Sequence, residues 1–398
     1  MKECCGSAAA KNVKKSIDKL IDSYNPNAPL AQASTIPSTW YTDESIFELE
    51  KQTVFTHSWQ FAARLDQLDN LGDYVTTDIG GEPIVIVRAD DQALRGFFNV
   101  CRHHAAGVMT QEAGHAPQMR CPYHGWTYSL EGELKGTPDF SEVSDFDRMS
   151  NGLVPIEIGT WENWIFARLD GGQVRHLNGS IENFLEPNLI EQINSLALKN
   201  LKWLERRRYI VECNWKVFVD NYLDGGYHVP HLHKGLDSVL DYSNYTIENG
   251  ERYCLQSSPM VNNTNDSFRG GLPSAPDDVS SVRSGERALY YWLYPNFMIN
   301  YYQGVMDTNL VRPLRVDQTE VIFDFYFADI SEGARERNLA SIEVSERIQR
   351  EDLDICKSVQ RGLQSRAYDA GRLSVRREAG EHLFHRLLYA DLHAGISE

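Results

Sequence analysis

An α+β chain of two domains is what this sequence predicts, and three observations carry that expectation. At 398 residues the chain is long for a single hydrophobic core. Between Trp59 and about Leu169 it reads as short β-rich runs broken by Gly, Asp and Pro, the texture of a small all-β domain. After that, strand patterns precede a long helical stretch, as in an α+β domain whose antiparallel sheet is flanked by helices.

The elements follow in order. Lys11 to Tyr24 places Val13, Ile17, Leu20 and Tyr24 at helical spacing, and "NPNAP" ends the pattern. A second helix begins near Thr42, where "TDES" supplies a cap and early acids, and runs towards Phe55. Residues 1–44 are expected to be an N-terminal helical segment packed on the second domain, residues 45–169 the β-rich domain, and residues 170–398 the second domain. In the β-rich domain the strands are "DYVTTDI", "EPIVIVRA", "LRGFFNV" and "WIFARLD". Next, "IENFLEPNLIEQINSLALKNL" reads as helix and "RRRYIVECNWK" as strand. "ALYYWLYPNFMINYY", "TNLVRPLRV" and "EVIFDFYFADI" read as strands of a larger sheet, and a helix from about Ala334 to Ala370 closes the chain. No internal repeat is evident.

Bulk properties exclude several classes of function. A composition 42% hydrophobic and 24% charged is that of a soluble globular protein. The net charge of −17 argues against nucleic acid as a partner, because such proteins need a basic face. No apolar run approaches the roughly 20 residues of a membrane span. The opening "MKECCGSAAAKNVKKSIDKL" lacks the apolar core of a secretory signal, so the expected location is intracellular, cytoplasm or plastid stroma. Seven cysteines, at 4, 5, 101, 121, 213, 254 and 356, form an odd, scattered set that suits reduced thiols or metal ligands better than a disulfide framework. Cys213, Cys254 and Cys356 read as small buried hydrophobes.

Two stretches carry chemistry. The first is "CRHHAAGVMTQEAGHAPQMRCPYHGW", in which Cys101 and His103 form C-x-H and Cys121 and His124 form C-x2-H. Ligand type alone would allow a tetrahedral zinc site and hence a zinc-stabilised binding module. The order differs from a zinc finger's, since each loop gives one Cys and one His. That matches a [2Fe-2S] cluster in which two thiolates hold one iron and two imidazoles the other, an electron-transfer centre. His104 and His115 read as non-ligands, and Tyr123, Trp126 and Tyr128 as a cover that excludes water and tunes the potential.

The second stretch, "NYLDGGYHVPHLHK", packs three histidines beside a glycine pair and a proline. An ideal helix would bring His228 closer to His231 than to His233, but Pro230 breaks that helix, so spacing leaves the pair open. In "RIQREDLDICKSVQRGL", Asp352 falls in the middle of a stripe formed by Ile348, Ile355, Cys356, Val359 and Leu363, while Glu351 and Asp354 point away. A lone acid on an apolar face is costly unless paired or bound to metal.

"CPYHGW" with its upstream C-x-H, followed by this His-rich motif, resembles the oxygenase component of Rieske non-haem iron oxygenases over essentially the whole chain. The resemblance implies a Rieske [2Fe-2S] cluster on Cys101, His103, Cys121 and His124, and a mononuclear Fe(II) on His228, His233 and Asp352 with its opposite face open to O2. His231 remains the alternative ligand. In that family an acid three positions before the first iron histidine bridges to a Rieske histidine of the neighbouring subunit in a trimer. Gly225 stands there in this chain, which turns the role to Asp224, with Asp220 and Asn221 as further catalytic candidates. A separate ferredoxin or flavin reductase is implied as electron donor. An electron-transfer protein without catalysis would need the four cluster residues but not the three iron ligands.

"CNWKVFVDNYLDGGYHVPHLHK", "WLYPNFMINYY" and "MDTNLVRPL" resemble the choline monooxygenase group and its bacterial relatives that oxidise betaines and carnitine, more than the ring-hydroxylating dioxygenases. The implied substrate is a quaternary ammonium compound, choline first, with N-demethylation of glycine betaine or carnitine, or arene dihydroxylation, as alternatives. Such a cation is held on aromatic faces, and Tyr290, Trp292, Tyr294, Phe297 and Tyr301 are the cage candidates. A carboxylate-bearing substrate would want a cationic side chain, Arg312 or Arg287.

Overall fold

The structure, a computed structural model, describes residues 17–169, 180–261 and 282–397. Residues 17–21 are helical; Val13, in the expected first helix, and Cys4 and Cys5 lie outside the described residues. The described residues separate into two compact units, one within Phe55–Phe184 and one joining those of Met1–Val54 to those of Leu185–Glu398. These boundaries lie beyond the expected 44/45 and 169/170.

In the first unit the strands are β1 (Gln60–Arg64), β2 (Asp73–Ile79), β3 (Glu82–Arg88), β4 (Leu94–Phe98), β5 (Ala113–His115), β6 (Met119–Arg120), β7 (Thr127–Tyr128), β8 (Leu134–Gly136), β9 (Pro155–Trp161) and β10 (Trp164–Arg168). Seven of them form an antiparallel sheet in the order β1-β10-β9-β4-β3-β2-β5, and β6-β7-β8 form a second, three-stranded sheet. β3 reads as a continuous apolar run because Ile84, Val85, Ile86 and Val87 are all fully buried. Val85, Val87, Phe97, Met119, Leu130 and Leu134 pack into one core together with Cys101 and Cys121.

The second unit contains α1 (Ser38–Thr42) and α2 (Glu44–Glu50); α3 (Ile181–Leu185) spans the boundary between the units, and α4 (Pro187–Ser195) follows in the second. Asp43 caps α2 by accepting the Ser45 N–H at 2.8 Å. The continuous helix expected over 181–201 is broken at Glu186 (φ +64°), because the residue before Pro187 is disfavoured in helical geometry. A seven-stranded antiparallel sheet follows: β11 (Lys202–Val211), β12 (Thr246–Asn249), β13 (Tyr253–Pro259), β14 (Arg287–Leu293), β15 (Phe297–Tyr302), β16 (Val305–Arg315) and β17 (Gln318–Phe327), in the order β11-β17-β16-β15-β14-β13-β12. The remaining helices are α5 (Trp215–Leu223), α6 (Val229–Leu232), α7 (Lys234–Asp237), α8 (Arg335–Leu363) and α9 (Ala379–Ser397). α5 packs against α8, α9 and β16.

Among the elements the sequence reading missed are β12, β13 and α9. The last was legible, since Phe384, Leu388 and Leu392 recur every fourth residue and are fully buried. Strand pattern ran too far at "RRRYIVECNWK", where Asn214 accepts the Lys216 N–H at 3.1 Å and starts α5 instead. Cys213, Cys254 and Cys356 are buried free thiols, as expected.

A buried ion pair ties α2 to α5. Lys216 Nζ lies 2.5 Å from Glu50 Oε1, the Trp215 indole N–H donates to Glu50 Oε2 at 2.7 Å, and both charged side chains are wholly inaccessible. Burial pushes the Glu50 carboxyl up and the Lys216 amine down, and each charge offsets the other's shift. Removing one partner strands the other. Glu50→Ala is expected to cost about 3–5 kcal/mol, measured by denaturant unfolding, with part of the loss recovered in Glu50→Ala/Lys216→Met.

Candidate metal centres and substrate pocket

The first constellation sits on two loops of matching geometry. In one, Cys101 N–H donates to Ala106 O at 2.8 Å and Ala105 N–H to Cys101 O at 3.0 Å; in the other, Cys121 N–H donates to Trp126 O at 2.8 Å and Gly125 N–H to Cys121 O at 3.1 Å. The fourth residue after each cysteine is left-handed, Ala105 at φ +58° and Gly125 at φ +74°. These turns bury both thiols and direct His103 and His124 to the rim, their ring centroids 4.7 Å apart.

The donor set fits a Rieske cluster on three counts. His103 Nδ1 is buried without a hydrogen-bond partner. Burial, aided by neighbouring His104 and His124, holds the His103 imidazole below its ordinary pKa, in the neutral form an iron ligand needs. Burial pushes the Cys121 thiol up, opposed by backbone N–H groups of Tyr123 and His124 that favour a thiolate.

The expected aromatic cover is present in three forms. Trp126 stacks on His103 at 4.7 Å and 5°, Tyr123 stacks on His124 from the solvent side, and the buried Tyr128 hydroxyl lies 3.3 Å from Cys101 Sγ. Because the Arg102 N–H donates to Tyr128 Oη at 3.0 Å, the phenolic proton is free to point at sulfur. His115 is away from the loops, on β5, beside Asp73.

In the second unit, His228, His233 and Asp352 converge so that one ligand atom of each lies within 4.8 Å of the others. The chain turns sharply before them: Gly225 (φ +68°) and Gly226 (φ +65°) end α5, and His228 and His233 flank the short α6 as its two caps. His231 is exposed and outside the group. His233 Nε2 is 3.1 Å and His228 Nε2 3.9 Å from Asp352 Oδ1.

Each ligand-type side chain has its own support. Asp224 Oδ2 lies 2.6 Å from His228 Nδ1, Glu351 Oε2 lies 2.6 Å from His233 Nδ1, and Asn221 Nδ2 donates to Asp352 Oδ1 at 2.9 Å. Carboxylates on both Nδ1 atoms aim both Nε2 lone pairs at one point, a common support for metal-bound imidazoles. Burial alone would lower His233, but the hydrogen bonds and charges of Asp352 and Glu351 raise its pKa, so the group is short of positive charge. Two imidazoles and one carboxylate on one side suit a ferrous ion with open positions.

Two expectations about α8 are corrected. Its buried face runs through Gln349, Asp352, Cys356, Gln360 and Leu363, while Ile355 (39% accessible) and Val359 (43%) are exposed. Glu351 does not point away from the site; its Oε2 lies 2.6 Å from His233 Nδ1. No sequence signal distinguished it from the other acids of the helix. Asp220 turns elsewhere, accepting from Tyr41 Oη at 2.5 Å and lying 3.0 Å from His385 Nε2. At Gly225 a Cβ would collide with the carbonyl oxygen of Arg377, so that position is closed to an acid.

Comparison with known proteins accords with this geometry. Residues 58–147 match the Rieske [2Fe-2S] domain, and residues 198–392 match the ring hydroxylating alpha subunit (catalytic domain). The chain is 38% identical to choline monooxygenase, chloroplastic, of Arabidopsis thaliana, over 94% of this chain and 87% of that one. The chain belongs to the Rieske oxygenase family. It is also 32% identical to the carnitine monooxygenase oxygenase subunit of Escherichia coli (strain K12), over 85% of this chain and 86% of that one. A crystal structure of the quaternary ammonium Rieske monooxygenase CntA superposes with a TM-score of 0.78 at 28% identity, covering 94% of this chain and 98% of that one.

The cofactors of this Rieske oxygenase are thus a [2Fe-2S] cluster and a mononuclear iron, and its electrons come from a partner. Its pocket opens beside the three iron-side residues. Only one of the five expected cage residues, Tyr290, lines it, together with Tyr222, Tyr245, Tyr302, Phe218 and Phe323. Trp292 shares the face of Tyr290, but two residues further along β14 it meets Phe384 of α9. Tyr294 donates to Asp391 at 2.6 Å, and neither Phe297 nor Tyr301 lines the pocket. Arg312 pairs with Glu320, and Arg287 Nε donates to Ser257 Oγ at 2.7 Å; among the described residues the arginine at the pocket is Arg283.

Tyr128→Phe is expected to keep the oxidised cluster's visible spectrum and lower its midpoint potential in redox titration, because a donor to sulfur is lost. His228→Ala is expected to lose mononuclear iron by metal analysis while retaining that spectrum; loss of both would contradict the division of ligands.

Proposed function

We propose that this oxygenase hydroxylates choline at its alcohol carbon, giving the hydrate of betaine aldehyde. The carrying observation is the wall of tyrosines beside His228, His233 and Asp352. Their hydroxyls are engaged: Tyr222 Oη donates to Asn300 Oδ1 at 2.8 Å, Tyr245 Oη to Gln256 Oε1 at 3.3 Å, and Tyr290 and Tyr302 bond each other at 2.8 Å. Burial pushes all four phenols up, those of Tyr222, Tyr245 and Tyr290 furthest, so they stay neutral. With the polar ends tied, ring faces are left for the methyl groups of a cation that neither donates nor accepts hydrogen bonds. The naming of relatives as choline and carnitine monooxygenases supports the same substrate class.

His228, His233 and Asp352 would hold the mononuclear iron, and Cys101, His103, Cys121 and His124 the cluster. When bound, the cluster supplies single electrons and the ferrous ion activates O2. The chain's own part is to orient those ligands through Asp224, Glu351 and Asn221, to hold the ammonium end on the rings, and to limit water at the reacting carbon. We assign the electron link at His228 to Asp224, in a homotrimer fed by a ferredoxin or flavin reductase. The contact of Asp224 with His228 and the closed position of Gly225 support that assignment.

N-demethylation of a carboxylate-bearing substrate is the second reading, favoured by Arg283 at the pocket wall. No helix among the described residues is long and apolar enough to cross a membrane. We place the enzyme in plastid stroma or cytoplasm, the former in line with relatives named chloroplastic.

Iron-reconstituted protein with a surrogate reductase is expected to consume O2 and form betaine aldehyde from choline. Glycine betaine, carnitine and an arene panel run in parallel. Demethylated amine instead of aldehyde would favour the second reading, and a cis-diol or no product would sink the quaternary-ammonium assignment.

A further inference from the structure

One ionisable group at the pocket has no task in holding iron or moving electrons. Asp307, on β16, is 4% accessible and lines the same cavity as the four tyrosines. Opposite it in register on β15 stands Asn300, whose Nδ2 donates to Asp307 Oδ2 at 2.7 Å; Asn309 Nδ2 is 3.4 Å from the same oxygen. Two amides solvate the carboxylate without neutralising it. Among the described residues no cation is in ion-pair contact with it.

The nearest candidate is committed elsewhere. Arg283 donates to the hydroxyls of Ser341 and Ser345 on α8, and its guanidinium lies 5.0 Å over the Tyr302 ring, so it acts on Asp307 only at longer range. Burial pushes the Asp307 carboxyl up, with Arg283 and the two amides opposing. A buried carboxylate in this condition is costly unless something positive arrives. A quaternary ammonium supplies charge while asking for no hydrogen bond, and neighbouring tyrosine faces take its methyl groups.

Resting on the proposed quaternary-ammonium chemistry, we propose that Asp307 is the counter-ion of the substrate's ammonium group and sets the pocket's preference for a cation over an uncharged molecule of the same shape. The rings supply shape and methyl contact to either molecule. Asp307 supplies the term that depends on charge.

The test compares choline with 3,3-dimethylbutan-1-ol, in which carbon replaces nitrogen and the hydroxyl is kept. Binding to the holoenzyme is measured by calorimetry and turnover by O2 uptake, for wild type and Asp307→Asn. Wild type is expected to prefer choline, and the variant to lose at least about tenfold of that preference while keeping iron content and Rieske spectrum. Asp307→Glu should restore part of it, and Asp307→Ser gives the same ratio if the asparagine variant folds poorly. An unchanged preference beside normal choline turnover by wild type overturns the counter-ion role. Equal losses for both molecules overturn it too, since they would put Asp307 on the hydroxyl. Wild-type protein that binds and oxidises neither choline nor carnitine would instead defeat the function on which the proposal rests.

Discussion

The catalytic unit depends on one costly placement, the carboxylate of Asp352 on the buried face of a 29-residue helix. A lone acid there would be penalised by desolvation unless its oxygens were engaged. Asn221 donates from α5, His233 lies 3.1 Å away, and His228 completes the group, so the helix α8 and the broken segment after α5 are locked to one another through the site itself. Packing and chemistry therefore share the same atoms. The glycine pair serves this constraint as well, because only a left-handed turn brings the chain from α5 back towards α8 within a few residues.

Outside the three converging side chains lies a ring of supports that does the aiming. Asp224 and Glu351 each engage an Nδ1 atom, leaving both Nε2 atoms to face Asp352. The cluster loops solve a parallel problem by backbone means. Two equivalent pairs of amide hydrogen bonds and two left-handed residues give each cysteine–histidine pair the same presentation, although C-x-H and C-x2-H differ in spacing. One site is set by side-chain acids and the other by peptide groups.

Legibility varied with the kind of signal. Cys101, His103, Cys121 and His124 could be read directly, because ligand type and order along two short loops are local properties. His228 over His231 could not be read from helical geometry and rested on resemblance; the structure shows the reason, since the two selected histidines cap a four-residue helix rather than share one helical face. The stripe on α8 was centred rightly on Asp352 but rotated, because Gln349 and Gln360 are buried while Ile355 and Val359 are exposed. Hydrophobic periodicity cannot locate a buried polar face.

The pocket wall was the part least visible in advance. Alternation placed Tyr290 and Trp292 on one face, yet a strand advances about 3.3 Å per residue, so the two serve different neighbours, the pocket and α9. Tyr222 and Tyr245 come from other elements, and Arg283, Asn300 and Asp307 gain meaning only through strand register and the approach of α8. By itself the sequence determined the fold class and placed Cys101, His103, Cys121 and His124 in two short loops, readings that depend on residue type and short-range spacing, while the class of chemistry followed from resemblance to the family. Tertiary structure alone decided which acids contact the histidines and which tyrosines line the pocket, because those choices are made by groups distant in sequence that meet only after the sheet and helices have packed.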